Sequence, residues 1–366
     1  MTIDVAIIGA GFTGLNLAYS LAASKLDVVI FERKDSYPDA FRAEKIETDQ
    51  AKIMRELGTL DYRVPKMPPL GIIQNLENGK LTQIDTVEQY GISYNQTVNN
   101  LRKHLPENIK VIDKAVVNIS DSGKLRNLQL SDNSILEAKI VILCTGGNVK
   151  MLNTLGINRM IEANLVSLSF GFDLEIENSS VVPFNGFNYH INNNEHKINY
   201  LTLFPIGNRM RVNLFTQLRT KDRLTSELKN NTIETIQKCF PRLTEYTGQI
   251  KLASKVQIMP TQFYRLQNHI RPGFIVMADE YQGVNPVTGT GLSKVLTDVK
   301  VLSQKYIPEW IKNNRFEKID MKAFYKDNDK VHSDRNSLYS WIHYYQEVSL
   351  KKMPLIQKFK LKHMIF

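Results

Sequence analysis

A glycine-rich turn near the N-terminus narrows the range of folds for this chain. Residues 4–8 read as an apolar strand, Gly9, Gly11 and Gly14 form a GxGxxG turn, residues 15–24 have a helical pattern, and residues 28–31 read as a second strand. The pyrophosphate of a dinucleotide must approach backbone N–H groups at a helix N-terminus, and glycines remove the β-carbons that would block it. The segment therefore predicts a βαβ unit that binds a dinucleotide.

Glu32 lies at the end of that second strand. A carboxylate at this position can accept hydrogen bonds from the ribose hydroxyls of an adenosine, so we expect an unphosphorylated ribose. The spacing does not distinguish NAD from FAD, and a tight turn packed on a helix is the alternative interpretation of the glycines.

Composition indicates a globular protein of about two structural units, with 366 residues, 42% apolar and 23% charged. Cys144 and Cys239 are too few for a disulfide framework, and no metal-ligand spacing is present, so we expect no metal and a reducing cytoplasm. The apolar tract of residues 5–23 contains the three glycines and lacks the features of a signal peptide, so we expect neither a signal nor a membrane span.

Sheet-rich segments separate the nucleotide-binding patterns. Residues 187–191, 198–204 and 210–215 predict an antiparallel meander, with turns at residues 192–194 and 206–209. These segments predict two domains that are interleaved along the chain, one that binds the dinucleotide and one built on the antiparallel sheet.

Four segments together resemble the class A FAD-dependent monooxygenase superfamily, which has the para-hydroxybenzoate hydroxylase fold. They are residues 39–61, with Phe41-Arg42-Ala43-Glu44; residues 90–105, with Gln96; residues 204–215, with a Pro-containing corner; and residues 277–298, with Asp279, Pro286, Gly289 and Gly291. The late glycine block is also close to the geranylgeranyl reductase branch. Flavin-dependent halogenases share the fold, but their GWxWxIP signature is absent.

The resemblance implies the fold class α/β, with a glutathione-reductase-like FAD-binding Rossmann domain interleaved with an antiparallel β-sheet substrate domain and followed by a helical C-terminus. The predicted boundaries are 1–70, 95–160 and 255–330 for the FAD-binding domain, 71–94 and 161–254 for the substrate domain, and 331–366 for the C-terminal helical segment.

The resemblance also implies a site for non-covalent FAD. Arg42 would lie near the phosphates or the isoalloxazine edge, Gln96 and Asp279 near the ribityl chain, and the loop at Gly289 would face the flavin N1–C2 carbonyl. Motif and resemblance together predict these cofactor-binding residues: Gly9, Gly11, Phe12, Thr13, Gly14, Glu32, Arg33, Arg42, Gln96, Val116, Thr145, Gly146, Asp279, Pro286, Gly289, Thr290, Gly291 and Leu292.

The chain departs from the family at the end of the strand of residues 140–144. The family has an Asp-Gly pair there, whereas this chain has Thr145-Gly146. Use of NADH or NADPH as electron donor and reduction by a separate flavin reductase both stay open.

The resemblance implies a FAD-dependent monooxygenase that hydroxylates an aromatic or other electron-rich small molecule with O₂, through a C4a-hydroperoxide of the flavin. The alternatives are a flavin-dependent reductase of an isoprenoid or lipid-like substrate and a flavin-binding partner protein without turnover. The sequence predicts no individual catalytic residue.

The C-terminal residues 351–366 combine five lysines with large apolar side chains and contain no acid, within a chain of formal net charge +10. This pattern suits peripheral contact with an anionic membrane, and it also suits an amphipathic helix packed on the protein with its lysines in water. No nucleic-acid-binding module accompanies the lysines, so we expect no nucleic-acid partner.

Overall fold

The computed structural model describes residues 2–147, 149–176, 185–191 and 197–349. The turn expected at residues 192–194 and the basic tail of residues 351–366 lie outside these described residues. The fold is α/β, as the sequence predicts, and contains two β-sheets.

The first sheet has seven strands, ordered β6-β2-β1-β9-β8-β7, with β16 paired to β9. Five of its strands pair in parallel, and three of these, β1, β2 and β16, are largely buried. Helical residues pack on one face of the sheet, and Val116, Leu128, Leu130, Met151 and Leu152 pack on the other. Its strands are β1 (Thr2–Ile8), β2 (Val28–Phe31), β6 (Lys110–Ile112), β7 (Val116–Ser122), β8 (Leu125–Leu130), β9 (Ile135–Leu143) and β16 (Phe274–Val276).

The second sheet has nine strands, ordered β14-β10-β13-β12-β11-β4-β5-β3, with β15 paired to β10. Strands β11, β12 and β13 form the expected antiparallel meander. Its strands are β3 (Lys45–Ile46), β4 (Leu70–Glu77), β5 (Lys80–Gly91), β10 (Asn158–Ile176), β11 (Gly186–His190), β12 (Ile198–Ile206), β13 (Arg209–Thr216), β14 (Ile250–Leu252) and β15 (Gln257–Gln267).

Helices pack on the first sheet and at one side of the second, and four of them follow one another at the C-terminal side of the described chain. They are α1 (Phe12–Leu21), α2 (Thr48–Glu56), α3 (Tyr94–Lys103), α4 (Val149–Thr154), α5 (Arg223–Asn230), α6 (Thr232–Cys239), α7 (Leu243–Thr247), α8 (Ala278–Tyr281), α9 (Gly291–Val301), α10 (Ile307–Asn313), α11 (Lys318–Tyr325) and α12 (Asn328–Ser349). Across the described residues, no helix combines the length and the apolar character that a membrane crossing requires.

The two sheets are interleaved along the chain. The first sheet takes its strands from residues 2–31, 110–143 and 274–276, and the second from residues 45–91 and 158–267. Strand β15 belongs to the second sheet, although its residues fall in the predicted FAD-binding segment of 255–330. It joins that sheet because it pairs with β10 from Asn158↔Gln267 to Gly171↔Gln257.

Ala278 has an unusual backbone conformation, and this leads to a stability prediction. It has a φ of +55°, in the left-handed region that costs an L-residue about 1–2 kcal/mol. We expect Ala278→Gly to raise the free energy of unfolding by about 1 kcal/mol, measured by urea denaturation.

The matched control is Ala18→Gly in the buried interior of α1, which has ordinary helical geometry. The free energy of unfolding of this variant should fall by about 1 kcal/mol, because glycine is a poor helix former and removal of the methyl group leaves a small gap. Equal effects of the same sign at the two positions would contradict the assignment of strain to Ala278.

Candidate functional site

A cavity of about 930 Å³ lies between the two sheets. Its first end is lined by the N-terminus of α1 and by residues that follow β1, β2, β9 and β16 at their carboxyl ends, where ligands of open α/β sheets bind. Its other end is lined by the second sheet, through Ser169, Tyr200, Thr202, Asn213, Phe215 and Met259. The cavity therefore connects the dinucleotide-binding turn with the second sheet.

The three glycines of the turn have different roles in the structure. Gly9 has a φ of +107°, and a Cβ there would lie 2.6 Å from the Cys144 carbonyl oxygen. A Cβ on Gly14 would lie 2.1 Å from the Gly9 carbonyl oxygen, so both positions are glycine because backbone packs against them. A Cβ on Gly11 would meet only the Tyr37 ring, at 3.8 Å. Gly11 thus keeps open the space beside the helix N-terminus.

Glu32 is fixed at the cavity wall by four hydrogen bonds. The Ala10 N–H and the Arg102 guanidinium donate to Oε2 at 3.0 and 3.1 Å, and the N–H groups of Arg33 and Lys34 donate to Oε1 at 2.9 and 3.1 Å. The carboxylate is held rigidly where the turn and the second strand meet. A ribose hydroxyl would share these acceptor positions.

Arg102 is a residue of this site that the sequence analysis missed. It lines the cavity from α3 and also donates to the carbonyl oxygens of Ala10 and Lys34, at 2.9 and 2.8 Å. It thereby ties the glycine turn to the loop after β2. One signal for it was present in the sequence, because Arg102 lies inside residues 90–105, a segment that resembles the monooxygenase superfamily.

Arg42 and Asp279 lie on facing segments of the cavity wall, together with Tyr37 and Tyr94. Burial raises the pKa of Asp279, while the nearby charges of Arg42 and Lys294 oppose that rise. A buried acid beside an arginine is held in position by the charge it faces, and both remain able to bond a polar ligand.

The loop before α9 opens toward the same cavity. Asn285 accepts a hydrogen bond from the Val287 N–H at 3.0 Å, Gly289 has a φ of +65°, and α9 begins at Gly291. A Cβ added at Gly289 or Gly291 would meet no described atom within 4 Å. The helix N-terminus therefore presents backbone donors to open space.

The carboxylate of Glu280 lies beside Thr145, the residue that stands where the class A monooxygenase superfamily has Asp. Glu280 is buried and accepts hydrogen bonds from the Thr145 hydroxyl and from the Gly147 N–H, both at 2.6 Å. The carboxylate beside the end of β9 is thus contributed by α8, and it is engaged by Thr145 and Gly147.

The cavity brings together most of the residues predicted to bind the cofactor. Those that line it are Gly9, Gly11, Phe12, Thr13, Glu32, Arg33, Arg42, Val116, Thr145, Gly146, Asp279, Pro286, Gly289, Gly291 and Leu292. Three predicted residues stand apart from this lining: Gly14 supports the turn from behind, Gln96 is exposed on α3, and the Thr290 hydroxyl bonds those of Thr288 and Ser337. Gln96 faces away because Tyr94, which lines the cavity, is two residues earlier on the helix, and such positions face different sides.

The cavity meets the physical requirements of FAD. The first N–H groups of α1, beyond Gly11, suit a pyrophosphate, the Glu32 carboxylate suits an adenosine ribose, and the N-terminus of α9 suits the electron-rich edge of the ring. Among the described residues, no three His, Cys, Asp or Glu side chains come together in a way that could hold a metal ion.

Comparison with known proteins adds an independent line of evidence. A family model described as FAD binding domain matches residues 2–308. A rifampicin monooxygenase of Rhodococcus hoagii is 34% identical over 152 residues, which are 39% of this chain and 32% of that protein. The chain therefore spans about a third of the length of the curated relative that it matches.

Solved structures share the fold at low sequence identity. The p-nitrophenol 4-monooxygenase from Pseudomonas putida superposes with a TM-score of 0.75 at 17% identity, covering 100% of this chain and 93% of that one. The flavin-dependent brominase Bmp2 gives 0.74 at 15% identity, covering 100% and 94%. A flavoprotein/dehydrogenase from Cytophaga hutchinsonii gives 0.75 at 11% identity, covering 95% and 87%.

Proposed function

The chain belongs to the FAD-binding domain family and binds FAD, and from that premise we propose that it is a FAD-dependent monooxygenase. The proposed reaction hydroxylates an aromatic or other electron-rich small molecule with O₂, with NADH or NADPH as electron donor. One observation carries the proposal: a single cavity runs from the N-terminus of α1 to the second sheet, so a flavin and an organic substrate can meet within it.

The proposed roles of the residues follow their positions. Gly11 and the first N–H groups of α1 would bind the pyrophosphate, and Glu32 the adenosine ribose. Arg42 and Asp279 would hold the polar chain that leads to the ring. The N-terminus of α9, opened by Gly289 and Gly291, would place backbone donors against negative charge on the ring.

Bound FAD supplies the redox chemistry and the activation of O₂. The chain must orient the substrate and exclude water. Phe215 and Met259 contribute apolar surface at the sheet end of the cavity, while Ser169, Thr202 and Asn213 contribute polar groups there. An aromatic ring with a polar substituent suits this combination.

Oxygen uptake by the FAD-loaded protein tests the function. With NADH or NADPH present, addition of electron-rich aromatic compounds should increase both O₂ consumption and nicotinamide oxidation. Substrate conversion that proceeds equally well without O₂ would instead assign the reductase function. Failure of every donor to reduce the flavin would assign a binding role without turnover.

We further propose that reduced nicotinamide alone reduces the flavin slowly, below about 1 s⁻¹, unless substrate is bound or a separate reductase takes part. One reason is that Thr145 stands where the class A monooxygenase superfamily has Asp. The other is that the neighbouring Glu280 carboxylate already accepts hydrogen bonds from Thr145 and Gly147. Anaerobic stopped-flow reduction by NADPH measures the rate, and dithionite serves as the control for an accessible flavin. Rapid reduction by NADPH alone, in the range of about 1–1000 s⁻¹, would contradict this proposal.

A cytoplasmic location and a membrane contact complete the proposal. The cytoplasmic location is suggested by the low cysteine content, and both cysteines are free and buried.

The membrane contact concerns residues 351–366, which lie outside the described residues, and it rests on their lysine-rich and apolar composition alone. Co-sedimentation with anionic vesicles, with and without these residues, tests it.

A further inference from the structure

A buried ion-pair network underlies the sheet end of the cavity. The Arg211 guanidinium donates to Glu44 Oε2 at 2.6 Å, to Asp173 Oδ1 at 3.0 Å and to Gln257 Oε1 at 2.8 Å. The side chain of Arg211 is 5% exposed and that of Glu44 is 11% exposed. Each of the three guanidinium nitrogens of Arg211 therefore has an acceptor, and Arg211 holds Glu44 in place.

Glu44 is the member of this network that lines the cavity. In the orientation of the Asn213 side-chain amide that satisfies both of its polar atoms, its NH₂ group also donates to Glu44 Oε2, at 2.9 Å. Within the described part of the chain, Glu44 Oε1 receives no hydrogen bond. One carboxylate oxygen is thus fixed by the protein, while the other remains as an acceptor for a ligand.

The charged groups around this end of the cavity are four acids, Glu44, Glu47, Asp173 and Asp39, and three bases, Arg211, Arg209 and Lys45. Asp173 shares Arg211 with Glu44, and Asp39 is a further nearby acid. Lys45 lines the cavity but is paired with Glu47, which also lines it, at 3.1 Å. The bases at this end are already paired with the acids of the protein. A ligand carboxylate placed here would lose its hydration without gaining a cation as partner, which is unfavourable.

We propose that Glu44 is a specificity-determining residue: its Oε1 accepts a hydrogen bond from a hydroxyl or amino group on the substrate ring, and the site rejects rings with a carboxylate at that position. This inference rests on the proposed function, because it assigns the sheet end of the cavity to the organic substrate. It narrows the substrate to an aromatic compound with a hydrogen-bond donor and no negative charge at the Glu44 end.

The charged surroundings of Glu44 predict how this recognition depends on pH. Burial raises the pKa of Glu44 to about 7, Arg211 opposes the rise, and Asp173 and Asp39 add to it. Arg209 also faces this network, since it lies 3.5 Å from Asp173. The carboxylate form, which is the stronger acceptor, therefore increases as the pH rises through about 7.

Equilibrium dialysis of the FAD-loaded protein with three naphthalene probes tests the proposal. We expect 2-naphthol to bind about 10-fold or more tightly than 2-methoxynaphthalene, which has no donor, and 2-naphthoate to bind most weakly. The preference for naphthol should grow between pH 5.5 and 8.5. Glu44→Gln should remove both the growth with pH and most of the preference.

Asp173→Asn is the matched control, because it alters another partner of Arg211 and leaves the Glu44 carboxylate unchanged. It should keep the preference for naphthol and move the pH midpoint downward, since it removes a negative charge that raises the pKa of Glu44. Equal binding of naphthol and its methyl ether, tighter binding of naphthoate, absence of binding by all three probes, or equal losses in both variants would overturn the proposal.

The binding and oxygen-uptake measurements have separable outcomes. Substrate-dependent oxygen uptake without this selectivity overturns the role of Glu44 and leaves the monooxygenase function standing. Selective binding of naphthol without oxygen uptake by any aromatic compound supports the role of Glu44 and overturns the monooxygenase function.

Discussion

Gly11→Val is expected to yield a folded protein that has lost its FAD. A branched side chain at position 11 would stand where the pyrophosphate must approach the N-terminus of α1. Losing two charge-assisted hydrogen bonds to phosphate costs about 3–6 kcal/mol, a factor of about 10²–10⁴ in affinity. The flavin absorbance per mole of purified protein and FAD titration by fluorescence quenching measure the effect.

The fold should tolerate this substitution. Gly11 has φ −83° and ψ −172°, which valine adopts readily, and its Cβ would meet only the Tyr37 ring, at 3.8 Å. Circular dichroism and the denaturation midpoint should therefore change little. A Gly11→Val protein that copurifies with full flavin absorbance would refute the assignment of the pyrophosphate to this turn.

Gly14→Ala is the contrasting variant in the same turn. Its Cβ would lie 2.1 Å from the Gly9 carbonyl oxygen, so the turn and α1 must move apart. We expect the free energy of unfolding to fall by about 1–3 kcal/mol or more. The two variants separate the glycine that admits the ligand from the glycine that packs the fold.

Asp298→Ala is expected to cause the largest loss of stability. Asp298 is fully buried on α9 and accepts hydrogen bonds from Lys330 at 3.0 and 3.2 Å. Lys294 is 3.9 Å away and, like Lys330, is almost completely buried. Removing the carboxylate leaves two buried cations with only Asp334 between them, which should cost about 3–5 kcal/mol of unfolding free energy.

Two variants control this prediction. Glu227→Ala breaks an ion pair with the exposed Arg223 and should change stability by less than about 0.5 kcal/mol. The double variant Asp298→Ala with Lys330→Met restores the charge balance and should be more stable than Asp298→Ala alone. Urea denaturation measures all three, and a double variant no more stable than the single one would contradict the charge explanation.

The N-terminal βαβ unit could be predicted because its signals are local. Gly9, Gly11 and Gly14 lie within six residues, and Glu32 follows at the expected strand end. The meander was also predictable from alternation and turn residues. The place of β15 could not be predicted, because it pairs with β10 across a large separation in sequence. The separation is 86 positions for Gly171↔Gln257 and 109 positions for Asn158↔Gln267.

The sheet end of the cavity could not be predicted for the same reason. Glu44 and Arg211 are separated by 167 positions, and neither carries a motif that announces the other. Glu280 lies beside Thr145 only because α8 follows β16, the neighbour of β9. Gln96 shows that a resemblance in sequence does not fix the direction of a side chain. The resemblance implies a position near the flavin, whereas Gln96 is exposed on α3, which begins at Tyr94.

Oxygen-isotope labelling tests the proposed monooxygenase function most directly. The FAD-loaded protein is incubated under ¹⁸O₂ with NADPH and the aromatic compound that most stimulates oxygen uptake, and the product is examined by mass spectrometry. The proposed function predicts a hydroxylated product that carries one ¹⁸O atom from molecular oxygen. A product that carries no ¹⁸O, or one that has gained two hydrogen atoms instead, would contradict it.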